Sequence, residues 1–135
     1  MFKTKDIMTK GAICVHKGTS IFEAIEIMVN NGVSGVPVVE EDMTLVGILC
    51  EQDVLRLLDT HEQERNRTVG ELMTHPAVCF EENEFLLDIC FRLRDSSIRR
   101  VPVTSDGKVT GIISRADILK CILQLMQQPC HAGSE

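Results

Sequence analysis

The feature that most constrains what this chain can fold into is that it contains one unit twice. The stretch Gly47-Ile48-Leu49-Cys50-Glu51-Gln52-Asp53-Val54-Leu55 returns as Gly111-Ile112-Ile113-Ser114-Arg115-Ala116-Asp117-Ile118-Leu119, with the same glycine, two aliphatics and an aspartate six positions after the glycine. Each copy reads as a short apolar strand running into a helix. At a helix start, unpaired N–H groups and the dipole favour oxygen-rich or anionic partners. Upstream, Met8-Thr9 matches Met73-Thr74 and Pro37 matches Pro102, both 65 positions on, whereas Gly47 to Gly111 and Asp53 to Asp117 are 64 positions on. The one-residue slip falls in a hairpin turn, where nothing packs on the tip.

The order of elements is the same in both copies. Asp6-Ile7-Met8-Thr9 leads into a strand over Ile13-Cys14-Val15, and Ser20 with Glu23 three residues on forms a capping box that starts a helix. Ile21, Ala24, Ile25 and Met28 give that helix one apolar face, and Asn31-Gly32 stops it. Strands Val36–Val39 and Leu45–Leu49 form a hairpin with a long turn, and a second helix runs from Glu51 to Asp59. The second copy restarts at Val69-Gly70-Glu71-Leu72-Met73-Thr74. It continues with a strand over Ala77–Phe80 and a helix over 84–95 whose Phe85, Ile89 and Leu93 mark the buried side. Strands Arg100–Val103 and Val109–Ile113 flank Asp106-Gly107, the preferred chemistry of a tight hairpin turn, and a last helix spans Arg115–Gln127. The expected boundaries are repeats over 5–60 and 69–127, a linker over 61–68 and a tail over 128–135. The fold class is α+β, two β-α-β-β-α units packed about a pseudo-twofold axis, because units this small cannot each bury an independent core.

Charge and cysteine usage narrow the partners. A net charge of −6 excludes broad electrostatic binding to nucleic acid or anionic lipid, so any phosphate must be held locally. No apolar run follows the charged N-terminus, and no segment approaches the span of a membrane helix, so a cytoplasmic protein is expected. Cys14, Cys50, Cys79, Cys90 and Cys121 sit among apolar neighbours without close pairing and read as reduced, buried thiols. His16, His61, His75 and His131 show no paired metal-ligand spacing, so no metal site is predicted.

With the repeat in hand, the chain resembles a pair of CBS domains, the regulatory module named after cystathionine β-synthase and called a Bateman module. The resemblance runs from Lys5 to Met126. It is carried by Asp6-Ile7-Met8-Thr9 and Gly70-Glu71-Leu72-Met73-Thr74, by Val33-Ser34-Gly35-Val36-Pro37-Val38-Val39 and Ile98-Arg99-Arg100-Val101-Pro102-Val103, and by the two glycine-to-aspartate stretches. It implies a stand-alone adenosine-nucleotide sensor with two symmetry-related clefts, each mixing residues of both repeats. In the first, Ser114 and Asp117 face Thr9, Ala12, Ile13, Val33 and Ser34. In the second, Asp53 faces Thr74, Ala77, Val78, Ile98 and Arg100. The implied ligands are AMP, ADP, ATP, S-adenosylmethionine, NAD or a cyclic dinucleotide, held as regulatory ligands with no cofactor required.

The chemistry of the residues agrees with that implication. A carboxylate such as Asp117 can accept from both ribose hydroxyls, and Ser114 offers a hydroxyl toward phosphate beside the helix N–H groups. With no Trp and no Tyr, adenine rests on aliphatic walls and backbone groups. The clefts differ: the first has the complete Ser-x-x-Asp with Arg115 at the helix start, and the second has Cys50 in place of the serine, Glu51 beside it, and Arg99 and Arg100. Taken singly, each aspartate serves equally to complement a helix dipole, and the arginines serve equally as a charged strand edge.

Three classes of function follow. The leading reading is a ligand-binding regulatory module whose occupancy alters conformation or the surface offered to an effector protein. The alternative is a structural dimerisation module with empty clefts. An enzyme is disfavoured, since no nucleophile stands beside a base and no glycine-rich phosphate loop is present. A homodimer is expected from the apolar stripe Ile118, Leu119, Ile122, Leu123 and Met126, together with the resemblance.

Overall fold

The structure is a computed structural model that describes residues 2–59 and 66–128; most of the predicted linker and tail, with His61, Cys130 and His131, lies outside the described residues. In chain order the elements are helix α1 (Thr4–Ile7), strands β1 (Thr9–Lys10) and β2 (Val15–His16), helix α2 (Ile21–Asn31), and strands β3 (Gly35–Val39) and β4 (Leu45–Cys50). Helix α3 (Glu51–Leu55) is continued by a 3-10 turn (Arg56–Asp59) and followed by helix α4 (Val69–Leu72), strand β5 (Phe80–Glu81) and helix α5 (Leu86–Leu93). Strands β6 (Arg100–Ser105) and β7 (Lys108–Ser114) and helix α6 (Arg115–Gln127) complete the chain.

Local chemistry accounts for most of these boundaries. Ser20 accepts the N–H of Glu23 at 3.2 Å to start α2, and Gly32, left-handed at φ 62°, ends it, its N–H reaching back to the last carbonyls. Ile21, Ala24 and Met28 are buried on its inner face. The β6–β7 turn places both Asp106 (φ 53°) and Gly107 (φ 80°) in the left-handed region, the geometry of a two-residue hairpin loop.

Two expectations change. The strands predicted over 13–15 and 77–80 shrink to two residues each, displaced toward the C-terminus, because only Val15 and Phe80 reach the cores; Ile13 and Val78 stay exposed. Helix α5 buries Leu86, Ile89 and Leu93, whereas Phe85 is its N-cap residue and 43% exposed. The helix begins two residues later and ends two residues earlier than the 84–95 its pattern suggested, and its buried side runs through Leu86 in place of Phe85.

The first sheet has the order β2-β3-β4, and the second β1-β7-β6-β5, so that β1 of the first repeat is an edge strand on the second repeat's sheet. It pairs antiparallel with β7, Thr9 opposite Ile112 and Lys10 opposite Gly111. The reciprocal contact joins Thr74 to Ile48 through two backbone hydrogen bonds of 2.8 and 2.9 Å. The opening helices cross over with these segments. Thr4 and Lys5 donate to the carbonyls of Glu84 and Glu82, and Phe2, Ile7 and Met8 pack on the core around Phe80, Ile89, Val103 and Ile113. Val69 and Gly70 donate to Thr19 and Lys17, and Val69 is buried in the core around Val15, Ile21, Val38 and Leu49. Each repeat thus completes the other's core, which is the physical basis of their mutual dependence at this size.

The repeated glycines make that exchange possible. A Cβ on Gly111 would lie 2.7 Å from the Thr9 carbonyl oxygen and 2.7 Å from the Met8 sulfur, and one on Gly47 would lie 2.9 Å from the Thr74 carbonyl oxygen. Only a residue without a side chain lets the partner repeat's opening segment lie against the last strand.

Candidate functional site

Ser114 ends β7 and caps α6, and the two-way bond with Asp117 sets both side chains. The Ser114 Oγ accepts the Asp117 N–H at 3.1 Å, and Asp117 Oδ2 accepts the Ser114 N–H at 2.9 Å. The serine keeps its proton to donate, and Asp117 Oδ1 has no hydrogen-bond partner among the described residues. Both residues line an open cleft of about 200 Å³ whose other walls are Thr9, Gly11, Ala12, Ile13, Val33, Gly35, Val36, Arg100 and Ile112. The crossing of β1 onto β7 is what brings Thr9, Ala12 and Ile13 to the helix start.

Two placements correct the sequence-based expectation. Arg100, expected to serve the Asp53 side, lines the cleft of Ser114 and Asp117, because β6–β7 pairing sets Arg100 directly opposite Ser114. Residues opposite each other on an antiparallel pair project to the same face. The guanidinium is exposed and makes no ion pair with the described residues. Ser34, expected in the same cleft, instead lines a separate apolar groove with Ile25, Met28, Val29 and Leu55, and its carbonyl accepts the Glu51 N–H at 2.9 Å. Val33, Gly35 and Val36 line the cleft, whereas Ser34, in the bend before β3, lines the groove; Gly35 and Val36 were not among the expected residues.

Arg115 is also reassigned. Its guanidinium donates to the Ile98 carbonyl at 2.8 Å, to the Leu93 carbonyl at 2.9 Å and to the Ser96 carbonyl. It fastens the end of α5 and the following loop to the start of α6, and is not directed at the cleft.

On the other side Asp53 is 2% exposed and fully engaged. Its Oδ2 accepts the Cys50 N–H at 2.9 Å, and its Oδ1 accepts Arg56 Nη2 at 2.7 Å and the Thr74 hydroxyl at 3.1 Å. Of the residues expected to face it, Thr74 therefore bonds to it directly. Ala77 is half-buried, Val78 exposed, and Ile98 packs against the second core. Arg56 was missed, although its position three residues after Asp53 on one helical face was a signal. Burial raises the Cys50 thiol pKa, and the Asp53 and Glu51 carboxylates push it further, so Cys50 stays a neutral thiol without nucleophilic character at neutral pH. Only Cys121 among the described cysteines is fully buried; Cys14, Cys50, Cys79 and Cys90 are half-buried, short of the burial expected for all five.

A cleft built from both halves of a duplicated α+β unit is the arrangement of a tandem CBS pair. The chain belongs to the CBS-domain family, whose pattern matches residues 5–60 and 69–124. It is similar to CBSX2 of Arabidopsis thaliana, 28% identical over 142 residues that cover 84% of this chain and 60% of that protein. The crystal structure of CBSX2 in complex with AMP superposes with a TM-score of 0.83 at 30% identity, covering 94% of this chain and 100% of that one. The CBS domain pair of protein MJ0100, in complex with 5′-methylthioadenosine and S-adenosyl-L-methionine, superposes with a TM-score of 0.77 at 29% identity, covering 92% and 98%. YlbB of Bacillus subtilis is 30% identical over 119 residues, 87% of this chain and 80% of its own length. The chain spans between 22% and 60% of the length of the first four curated relatives it matches. No helix among the described residues is long and apolar enough to cross a membrane.

Proposed function

We propose that this chain is a regulatory sensor of an adenosine nucleotide, bound in the cleft of Ser114, Asp117 and Arg100. The observation that carries the reading is the Asp117 oxygen, unpartnered among the described residues, set beside a capping hydroxyl and a guanidinium that makes no ion pair with them, between aliphatic walls. The carboxylate accepts from the ribose diol, Ile13, Val33, Val36 and Ile112 enclose the base, and Ser114 with Arg100 meets the phosphate. The complexes of CBSX2 with AMP and of the MJ0100 pair with S-adenosyl-L-methionine support the ligand class. Because the walls come from both repeats, occupancy ties β1 to α6 and alters the helical face offered to an effector. Calorimetry with AMP and with adenosine tests the assignment. Asp117→Ala weakens both by at least about tenfold, roughly 1.4 kcal/mol, whereas Arg100→Ala weakens AMP by about 1.5–3 kcal/mol and adenosine little. Unchanged affinity for AMP in both variants would place the site elsewhere.

The alternative reading, a dimerisation module with empty clefts, is favoured by one observation, and dimerisation by itself is compatible with the first reading. Leu119, Ile122, Leu123, Leu125 and Met126 of α6 are exposed, as are Leu87 and Phe91 of α5. An apolar face of this kind is covered in an assembly, and a second copy is the occupant we propose. Sedimentation at tens of micromolar shows a dimer, and Leu123→Glu with Phe91→Glu shifts it to monomer; a wild-type monomer under those conditions would remove this part of the reading.

A further inference from the structure

We infer that the Asp53 half-site is closed by the chain itself, so that each chain takes one nucleotide, in the Asp117 cleft. The inference rests on the nucleotide-sensor reading and concerns its stoichiometry. The two repeats carry equivalent aspartates, and the structure satisfies them differently. Among the described residues, Asp117 keeps one oxygen without a partner, and Lys120, three residues on, is exposed and makes no ion pair. Asp53 has Arg56 at that same position three residues on, paired at 2.7 Å, and its side chain is 3% exposed beneath an arginine that is 67% exposed.

The opening threonines differ in the same sense. Thr9 lines the Asp117 cleft with no hydrogen bond from its hydroxyl among the described residues, whereas the Thr74 hydroxyl is donated to Asp53 at 3.1 Å. Arg56 and Thr74 thus occupy the acceptor positions a ribose diol would need. An entering diol would have to displace an ion-paired guanidinium, charged on both sides, and replace it with hydroxyl bonds in which only the carboxylate is charged, a losing exchange. Cys50 removes the hydroxyl that Ser114 supplies on the other side, so the diol would gain no phosphate contact in return.

Titration calorimetry with AMP on wild type, Asp53→Asn, Arg56→Ala and Arg56→Gln decides the matter, the glutamine variant keeping the aliphatic stem in case alanine perturbs the fold. The expected result is one equivalent for wild type, one for Asp53→Asn at an affinity within about twofold of wild type, and a second, weaker equivalent for the Arg56 variants. Two equivalents for wild type, a tenfold loss in Asp53→Asn, or a single equivalent in both Arg56 variants would overturn the closure. If wild type takes no AMP and the Arg56 variants take one, the Asp117 cleft is the wrong site while the closure stands. No binding by any of the four overturns both.

Discussion

Gly111→Ala lowers the stability of the whole chain by about 2 kcal/mol, read as a lower midpoint in urea unfolding. The added Cβ meets the Thr9 carbonyl oxygen and the Met8 sulfur at 2.7 Å, and the backbone oxygen has nowhere to go without breaking the β1–β7 pairing. Overpacking of this kind costs roughly 1–3 kcal/mol. Gly47→Ala, facing Met73 and Thr74, has the same effect, since its contacts are the pseudo-symmetric equivalents. Gly18→Ala is the control: nothing lies within 4 Å of its added Cβ, and the change stays within about 0.5 kcal/mol. Equal midpoints for Gly111→Ala and Gly18→Ala would show that the exchanged openings do not hold the repeats together. Because Thr9 lines the cleft proposed to hold the nucleotide, the Gly111 change is expected to reach it through β1, a coupling visible as weaker AMP binding in the same variant.

Arg115→Ala costs about 3 kcal/mol, a fall of about 10 °C in Tm for a chain of this size. Three carbonyls, of Leu93, Ser96 and Ile98, lose one donor at once, and they belong to the segment that leads from α5 into β6. Bonds from a charged donor are worth roughly 1.5–3 kcal/mol each, and water at a half-buried site replaces part of that. Arg115→Lys recovers little, because an ammonium cannot reach three divergent acceptors as the planar fork does. The sequence-based alternative, that Arg115 assists phosphate, makes the opposite forecast: an unchanged Tm with weaker AMP binding. Thermal unfolding beside calorimetry on the one variant separates them.

The helices and hairpins were legible because their signals are local. Ser20 with Glu23, the αL glycine at 32, the Asp106-Gly107 turn and the Ser114–Asp117 cap each act within four residues. The duplication added the global statement, since equal patterns in equal order give equal units and hence a pseudo-twofold pair. Among the cross-repeat placements, Thr9, Ala12, Ile13 and Val33 do line the cleft of Ser114 and Asp117, and Thr74 does meet Asp53; legibility failed at Arg100, Ser34 and Phe85. Arg100 was assigned to the wrong aspartate because its direction follows from the residue opposite it in β7. Ser34 was placed in the cleft although it lies in the bend between α2 and β3, where no regular period fixes a side chain's direction. Phe85 and Leu86 are adjacent and both apolar, so where the helix starts decided which was buried: it starts at Leu86, two residues past the expected 84, with Phe85 as the N-cap.

By itself, then, the sequence determined the family, the two α+β repeats, the caps at Ser114 and Asp117 and the aliphatic character of the cleft, all of which follow from local preference and from repetition. The tertiary structure alone decided that the opening segments change places, that Gly47 and Gly111 are glycines because a backbone from the other repeat lies against them, and that Asp53 is bound by Arg56 and Thr74 while Asp117 keeps an open oxygen. Two nearly identical motifs reached different states because hydrogen-bond partners distant in sequence, or on the next turn of a helix, compete for the same oxygen, and that competition is settled only when the chain is folded.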